Sequence, residues 1–415
     1  MAARRRLLSD VTPLRESGQY RLLYAGELFA FLGSQLTVVA VPLQVYLLTR
    51  SSLAVGLVGL AQLGPLLACS LVGGVVVDAV DRRVLLVWVQ LVRGALSVGL
   101  VVNALQPEPA LWPLYVLTAL GAGLQAVDAP ARTAAIPAMV RRELLPAAAA
   151  LHQILMQVGV VAGPAVAGLV VGRAGLAAAY EIDVAAFALA SLLAFALRPL
   201  PPGAGATRAG LGSVREGFRF LRGQRALQGT FLIDLNAMVF GMPRALFPAL
   251  GTGLFGGGPG TVGLLYAAPG AGALVGALMA GWVGGVRRQG RAVLVAVTVW
   301  GAAITVFGLV SWLPLALGLL AVAGAADVVS AVFRNAILQL TVPDGLRGRL
   351  AAIHIAVVTG GPRLGDAEAG AVAALAGPQV SVVSGGLACL AGVALLAWRI
   401  PELGRTVMEP SRPSA

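Results

Sequence analysis

Acidic residues, among them Glu27, Asp128, Asp234, Asp327, Asp366 and Glu368, stand inside apolar runs of the 415-residue sequence. Arg93, Arg244 and Arg363 do the same. An ionised group at the centre of a bilayer costs at least about 2.5 kcal/mol, so each of these needs a partner and a purpose. A carboxyl group shut away from water can hold a proton near working pH, and a neighbouring guanidinium can keep it ionised. Asp234 lies roughly 12 Å into its run and Asp366 roughly 22 Å into its own, past a bilayer midplane, at 1.5 Å per helical residue. Asp234, Asp366, Glu368 and Glu27 are therefore candidate proton carriers. Arg244, Arg363, Asp327 and Asp128 are candidates for binding substrate or for pairing with an opposite charge. Glu27 and Asp128 stand nearer the ends of their runs, where they also suit a gate.

The densest segment is Gly360-Gly361-Pro362-Arg363-Leu364-Gly365-Asp366-Ala367-Glu368. Its glycines and Pro362 predict a local break that would open backbone carbonyls beside three charges. Arg363 and Asp366, three residues apart, are close enough to pair along one helix face, either as a fixed bridge or as part of a coupling site. Arg244 either reaches the outer surface or binds an anionic substrate. Asp327 and Arg334 share a helical face and would brace it, and Arg93 would pack against an internal carboxylate. Glu181 and Asp183, at the start of a run, are expected at headgroup level. His152 and His354 lack the Cys or carboxylate spacing of a metal site, so a polar lining role is expected and no metal or cofactor is. Cys69 and Cys389 lie far apart inside apolar stretches and read as packing residues.

The elements that position these groups follow from composition. The chain is 58% hydrophobic and 12% charged, with a mean hydropathy of +0.87. A soluble domain carries about 25% charged residues, so the lipid bilayer is the main solvent here. Runs delimited by Arg, Pro and Gly predict helical spans at 22–48, 52–77, 84–104, 111–130, 146–172 and 177–198. Six more follow at 226–250, 260–285, 292–312, 314–338, 351–376 and 379–399. The fold class is thus an all-α polytopic membrane protein of twelve helices in two parallel six-helix repeats, 22–198 and 226–399. A segment at 1–21 precedes them, a tail at 400–415 follows, and a linker at 199–225 joins them. The linker opens Pro199-Leu-Pro-Pro202, and Ser213-Val-Arg-Glu216 has capping-box spacing ahead of an amphipathic surface helix.

The net charge of +12 and pI near 11.1 would suggest nucleic acid in a soluble protein. Here 25 of the 30 arginines fall on the side that holds both termini, which the positive-inside rule makes cytoplasmic. The basicity is topogenic, and no nucleic-acid partner is expected. The chain contains no lysine, so it carries no Walker ATP-binding lysine.

Two motifs carry a family resemblance. Gly74, Asp78, Arg82 and Arg83 match the cytoplasmic loop signature G-x-x-x-D-R-x-G-R-R of the major facilitator superfamily, with Ala79 and Asp81 departing from it. Gly159, Gly163, Pro164 and Gly168 resemble that superfamily's antiporter signature G-x-x-x-G-P-x-x-G-G, with Ala167 the departure. Small residues at this spacing let helices approach closely. Stretches including Val41-Pro42-Leu43-Gln44-Val45, Gly263-Leu264-Leu265-Tyr266 and Gly348-Arg349-Leu350 are similar, in the same order, to the enterobactin exporter group of bacterial permeases.

The resemblance implies a gate at the first motif, with Asp78 capping a neighbouring helix. It places Glu27, Asp128, Asp234 and Asp327 on the four cavity-lining helices. It further implies efflux across the bacterial cytoplasmic membrane of a siderophore-like or other bulky amphipathic small molecule, driven by protons through alternating access. Multidrug or antibiotic efflux is the alternative. A membrane-embedded acyl or lipid transferase is a remote one, since it would need a nucleophile and base that two histidines and two cysteines hardly supply. The expected partners are a small-molecule substrate, protons and lipid, with a monomer as the default.

Overall fold

A computed structural model describes residues 10–201, 216, 219–279 and 285–405, and the described residues are helical with turns between. The helices are α1 (Thr12–Glu16), α2 (Gly18–Thr49), α3 (Ser52–Ala79), α4 (Arg82–Ala104), α5 (Trp112–Ala135) and α6 (Leu145–Phe195), then α7 (Arg225–Phe240), α8 (Gly258–Met279), α9 (Gln289–Phe307), α10 (Leu313–Thr341), α11 (Asp344–Ala376), α12 (Pro378–Arg399) and α13 (Pro401–Arg405). Each expected span coincides at least in part with one of these, 226–250 running past the end of α7 and 260–285 into residues outside the described ones. Among the described residues nine helical stretches are long and apolar enough to cross a membrane. One of them, Arg142–Phe195, contains two expected spans that meet at Gly175. Of the linker's amphipathic segment, Glu216 and residues 219–222 are helical, and 213–215, 217 and 218 lie outside the described residues.

The long helices persist because lipid offers their backbones no other hydrogen-bond partner. For the same reason interior prolines are carried within them: Pro42 in α2, Pro65 in α3, Pro130 in α5, Pro164 in α6, Pro269 in α8 and Pro362 in α11. The break expected around Pro362 is not formed, and α11 runs through it. Breaks occur where glycine permits them. Gly175 has φ 86° and ψ 176°, and Gly377, between α11 and α12, has φ 90° and ψ 160°. This region of backbone space is open essentially to glycine alone, and in each case it joins the fifth span of a repeat to the sixth.

By their contacts the residues divide into two compact units, Met1–Val41 with Ala61–Arg208, and Pro42–Leu60 with Ala209–Ala415. In the first, α2 is clasped to α6: Tyr20, Tyr24 and Gln35 donate to the carbonyls of Ala148, Leu151 and Gly159 at 3.1, 3.2 and 3.2 Å. In the second, Phe247, Trp300, Phe307, Leu320 and Phe333 fill a core between α7, α9 and α10. There Gly272 of α8 and Gly324 of α10 put their Cα atoms directly against the backbones of Ala321 and Pro269.

Candidate functional site

Each unit carries its own set of embedded charges. In the second unit, Asp234 of α7 is 1% exposed and lies 2.8 Å from Nη2 of Arg334 on α10. Asp327, also on α10, comes within 3.7 Å of the same nitrogen, and Ser330 accepts from Arg334 Nη1 at 3.0 Å. The expected brace along α10 is therefore secondary: Arg334 makes its shorter ion pair across to α7. Arg334 is helical and buried.

The helix break expected in α11 appears instead after α7. That helix stops at Phe240, and the chain passes Gly241 and Pro243 before short turns at Arg244–Leu246, Phe247–Ala249 and Leu250–Leu254. Gly241 accepts from Trp300 Nε1 at 2.7 Å, and Pro243 has no N–H to continue the ladder. One amide freed by the break is satisfied from another helix, because Asp366 of α11 accepts from the Ala245 N–H at 3.0 Å. Arg363 donates to the Thr359 carbonyl at 2.6 Å, so the expected Arg363–Asp366 pair is replaced by one backbone bond for each partner. Arg244 is half-buried beside this cap, its carbonyl accepting from Tyr266 Oη at 3.0 Å. Glu368 lies two residues beyond Asp366 and is half-buried. Gly56 and Gly59 press on the α11 backbone at Asp366 and Arg363, leaving no room for side chains there.

In the first unit the acids are satisfied differently. Glu27 of α2 lies 3.1 Å from His152 Nδ1 on α6. Asp128 of α5 accepts from Arg132 Nε on its own helix at 2.8 Å and from Gln90 Nε2 of α4 at 2.8 Å. Arg93 stands farther off, 3.9 Å from Asp128 and with its guanidinium 4.5 Å from the centre of the Phe187 ring. Arg132 escaped the sequence reading because it falls just past the expected span. The signal that could have found it is its four-residue spacing from Asp128. Asp183, for which sequence offered no partner, is 2% exposed and enclosed between helices, accepting from Thr37 of α2 at 2.8 Å and Ser97 of α4 at 2.7 Å. Nothing local in sequence marks those two hydroxyls as its partners.

The loop motif is partly visible. Gly74 and the Asp78 backbone lie in α3, and the Asp78 side chain is outside the described residues. Asp81, at a departure from the motif, caps the start of α4. It accepts from the Arg83 N–H at 2.8 Å and from the Leu200 N–H at 3.1 Å. The Arg82 N–H donates to the Leu200 carbonyl at 3.0 Å and Arg83 Nη2 to the Phe195 carbonyl at 2.6 Å, so the start of α4 is stapled to the end of α6. In the second motif Gly159 faces the Phe31 ring and Gly163 the Gln35 side chain. Pro164 and Gly168 are buried on the same helix. Among the described residues no cluster of His, Cys, Asp and Glu is arranged to hold a metal ion.

Comparisons with known proteins agree with this architecture. Residues 8–414 match the family described as transmembrane secretion effectors. Enterobactin exporters EntS of Shigella boydii and Escherichia coli are 29% identical over 408 residues, covering 98% of this chain and 98% of theirs. Among solved structures, the nucleoside transporter NupG superposes with a TM-score of 0.70 at 12% identity, over 93% of this chain and 99% of its own. A bacterial homologue of the lysosomal transporter Spinster does so with 0.69 at 14%, over 95% and 100%. At such identities the last two establish the fold alone. The chain belongs to the transmembrane secretion effector family of the major facilitator superfamily and is a multi-pass membrane transporter.

Proposed function

We propose that the protein exports a siderophore-like or similarly bulky amphipathic small molecule across the bacterial cytoplasmic membrane, in exchange for protons, by alternating access. Both termini are then cytoplasmic, the halves 22–198 and 226–399 are the moving bodies, and the working unit is a monomer. The observation that carries this reading is the end-to-end similarity to enterobactin exporters. The embedded acids of the second unit support the proton step.

Asp234 and Asp366 are the first carriers, with Glu368 and Glu27 as auxiliary ones. A proton on Asp234 removes its attraction to Arg334 and leaves the guanidinium to Asp327 and Ser330. A proton on Asp366 weakens its hold on the Ala245 N–H, because a neutral acid accepts more weakly than a carboxylate. Both changes loosen α7, one at its middle and one at its broken end, and so lower the resistance to rearrangement. Arg244 and Arg363 are placed to meet an anionic part of the cargo, while Asp128 stays a structural partner of Arg132. Gly74, Asp78, Arg82 and Arg83 serve the cytoplasmic gate. Gly159, Gly163, Pro164 and Gly168 give α2 and α6 their close, dry contact.

Everted vesicles carrying the protein test the proposal through accumulation of a catecholate siderophore under an imposed proton gradient. The expected result is uphill accumulation that a protonophore abolishes and that Asp234→Asn and Asp366→Asn each reduce to equilibration. Uphill accumulation preserved in both variants would overturn the assignment of the carriers, and no gradient-dependent accumulation in the wild type would overturn antiport.

A further inference from the structure

Asp183 is the one acid of the first unit that is almost fully enclosed and has no cation within ion-pair distance among the described residues. It sits on the second arm of α6, after Gly175, with α2 and α4 packed against it. Its Oδ2 atom takes both hydroxyl bonds, from Thr37 and Ser97, whereas its Oδ1 atom is buried with no hydrogen-bond partner. Gly33 of α2 makes the space for it, since a Cβ there would lie 2.8 Å from Oδ1 and 2.6 Å from the Ala186 Cβ. Two neutral donors and one empty lone-pair face are poor compensation for an ion withdrawn from water. Hydroxyls serve a neutral carboxyl equally well, because each can turn to donate or to accept.

The charged and titratable groups facing this carboxyl are Arg93 from α4 and Tyr180 from its own helix. Among the described residues no charged or titratable group faces it from α2, which contributes Thr37 and Gly33. Arg93 is the informative one. It leans on Phe187, one turn from Asp183, and remains 3.9 Å from Asp128. Asp128 is already served by Arg132 and Gln90, both at 2.8 Å, so it does not depend on Arg93. A guanidinium that neither acid fully holds therefore stands between two carboxylates.

We propose that Asp183, enclosed by Thr37, Ser97 and Gly33, is a proton-binding site of the first unit, and that Arg93 takes over its charge when the proton leaves. The carboxyl O–H bond breaks heterolytically and the proton passes to water. The carboxylate left behind is neutralised by Arg93 moving off Phe187, while Asp128 keeps Arg132 and Gln90. No electron transfer or further reactant is required. The site is separate from Asp234 and Asp366, so it stands or fails independently of the coupling assigned to them.

Infrared spectra of the purified full-length protein in lipid test it. The wild type at neutral pH should show a protonated-carboxyl C=O band that Asp183→Asn removes and Asp128→Asn leaves in place. Alkaline medium should abolish that band in the wild type, and Arg93→Gln should preserve it under the same conditions, since the ion would then have no cation to receive it. If Asp183→Asn does not assemble, Ser97→Ala and Thr37→Val, each removing one hydroxyl, must shift the position of the same band. The proposal is overturned if Asp183→Asn removes only carboxylate bands, if the band responds to alkali identically with and without Arg93, or if neither hydroxyl variant moves it. None of these readouts depends on transport, so failure here leaves the export reading intact, and failure of the vesicle experiment leaves this one intact.

Discussion

The two units place an acid and an arginine at matching positions and connect them differently. Glu27 and Asp234 each stand nine residues into the first long helix of their repeat, which begin at Gly18 and Arg225. Arg132 and Arg334 lie twenty and twenty-one residues along the fourth, from Trp112 and Leu313. In the first unit Arg132 bonds to Asp128 one turn away on the same helix, and Glu27 turns to His152. In the second, Arg334 crosses to Asp234 on another helix. A pair within one helix is indifferent to how helices move, whereas a pair between helices changes whenever they slide. The interhelical pair of the first unit, Glu27–His152, has a 39% exposed imidazole, whereas that of the second is buried, so the proposed protonation would act on helix position most strongly in the second unit, through α7 and α10.

The largest expected break in this comparison comes from Arg334→Met, which leaves Asp234 buried without its cation and should cost about 3–5 kcal/mol. Thermal unfolding of the detergent-solubilised protein checks it. Arg132→Met should cost less, because Asp128 retains Gln90 and has Arg93 beside it, and adding Asp234→Leu to Arg334→Met should restore folding without restoring transport. Next comes the packing of the units. Gly272→Ala drives a methyl into the Ala321 backbone, which cannot step aside, and should cost about 1–3 kcal/mol. Gly163→Ala meets only the Gln35 side chain and should be milder in the same assay.

A smaller effect separates α4 from its counterpart α9. Asp81 caps α4, whereas α9 begins after Arg288 with no side-chain cap. Asp81→Ala should therefore cost about 1 kcal/mol, while Arg288→Ala should leave stability unchanged. The smallest is His152→Gln. With the imidazole 39% exposed, its pairing with Glu27 should contribute less than about 1 kcal/mol, and the variant should unfold like the wild type.

Much of this architecture was legible in the sequence. Apolar runs between arginines placed the spans, because lipid demands long uninterrupted helices. The embedded acids were visible because they are rare in such runs. What stayed hidden depended on contacts between distant segments. Thr37 and Ser97 carry no pattern that points to Asp183, and the break beside the charges fell at Gly241 and Pro243 because Asp366 and Trp300 were there to satisfy the freed groups. Pro362, with similar local sequence, is carried inside a continuous helix. Arg132 went unnoticed, and the reach of Arg334 across to Asp234 was hidden, because a basic residue near the end of a span looks the same whether it faces headgroups or a buried acid. Asp81, at a position where the motif has glycine, caps α4 because it directly precedes that helix.

The comparison is tested most directly by following proton movement during cargo flux in proteoliposomes containing the purified full-length chain. Siderophore flowing down its gradient should drive protons the opposite way in the wild type and, at reduced yield, in Glu27→Gln. Asp234→Asn should pass cargo without moving protons. Proton movement undiminished in Asp234→Asn, or abolished by Glu27→Gln alone, would contradict the placement of coupling in the second unit.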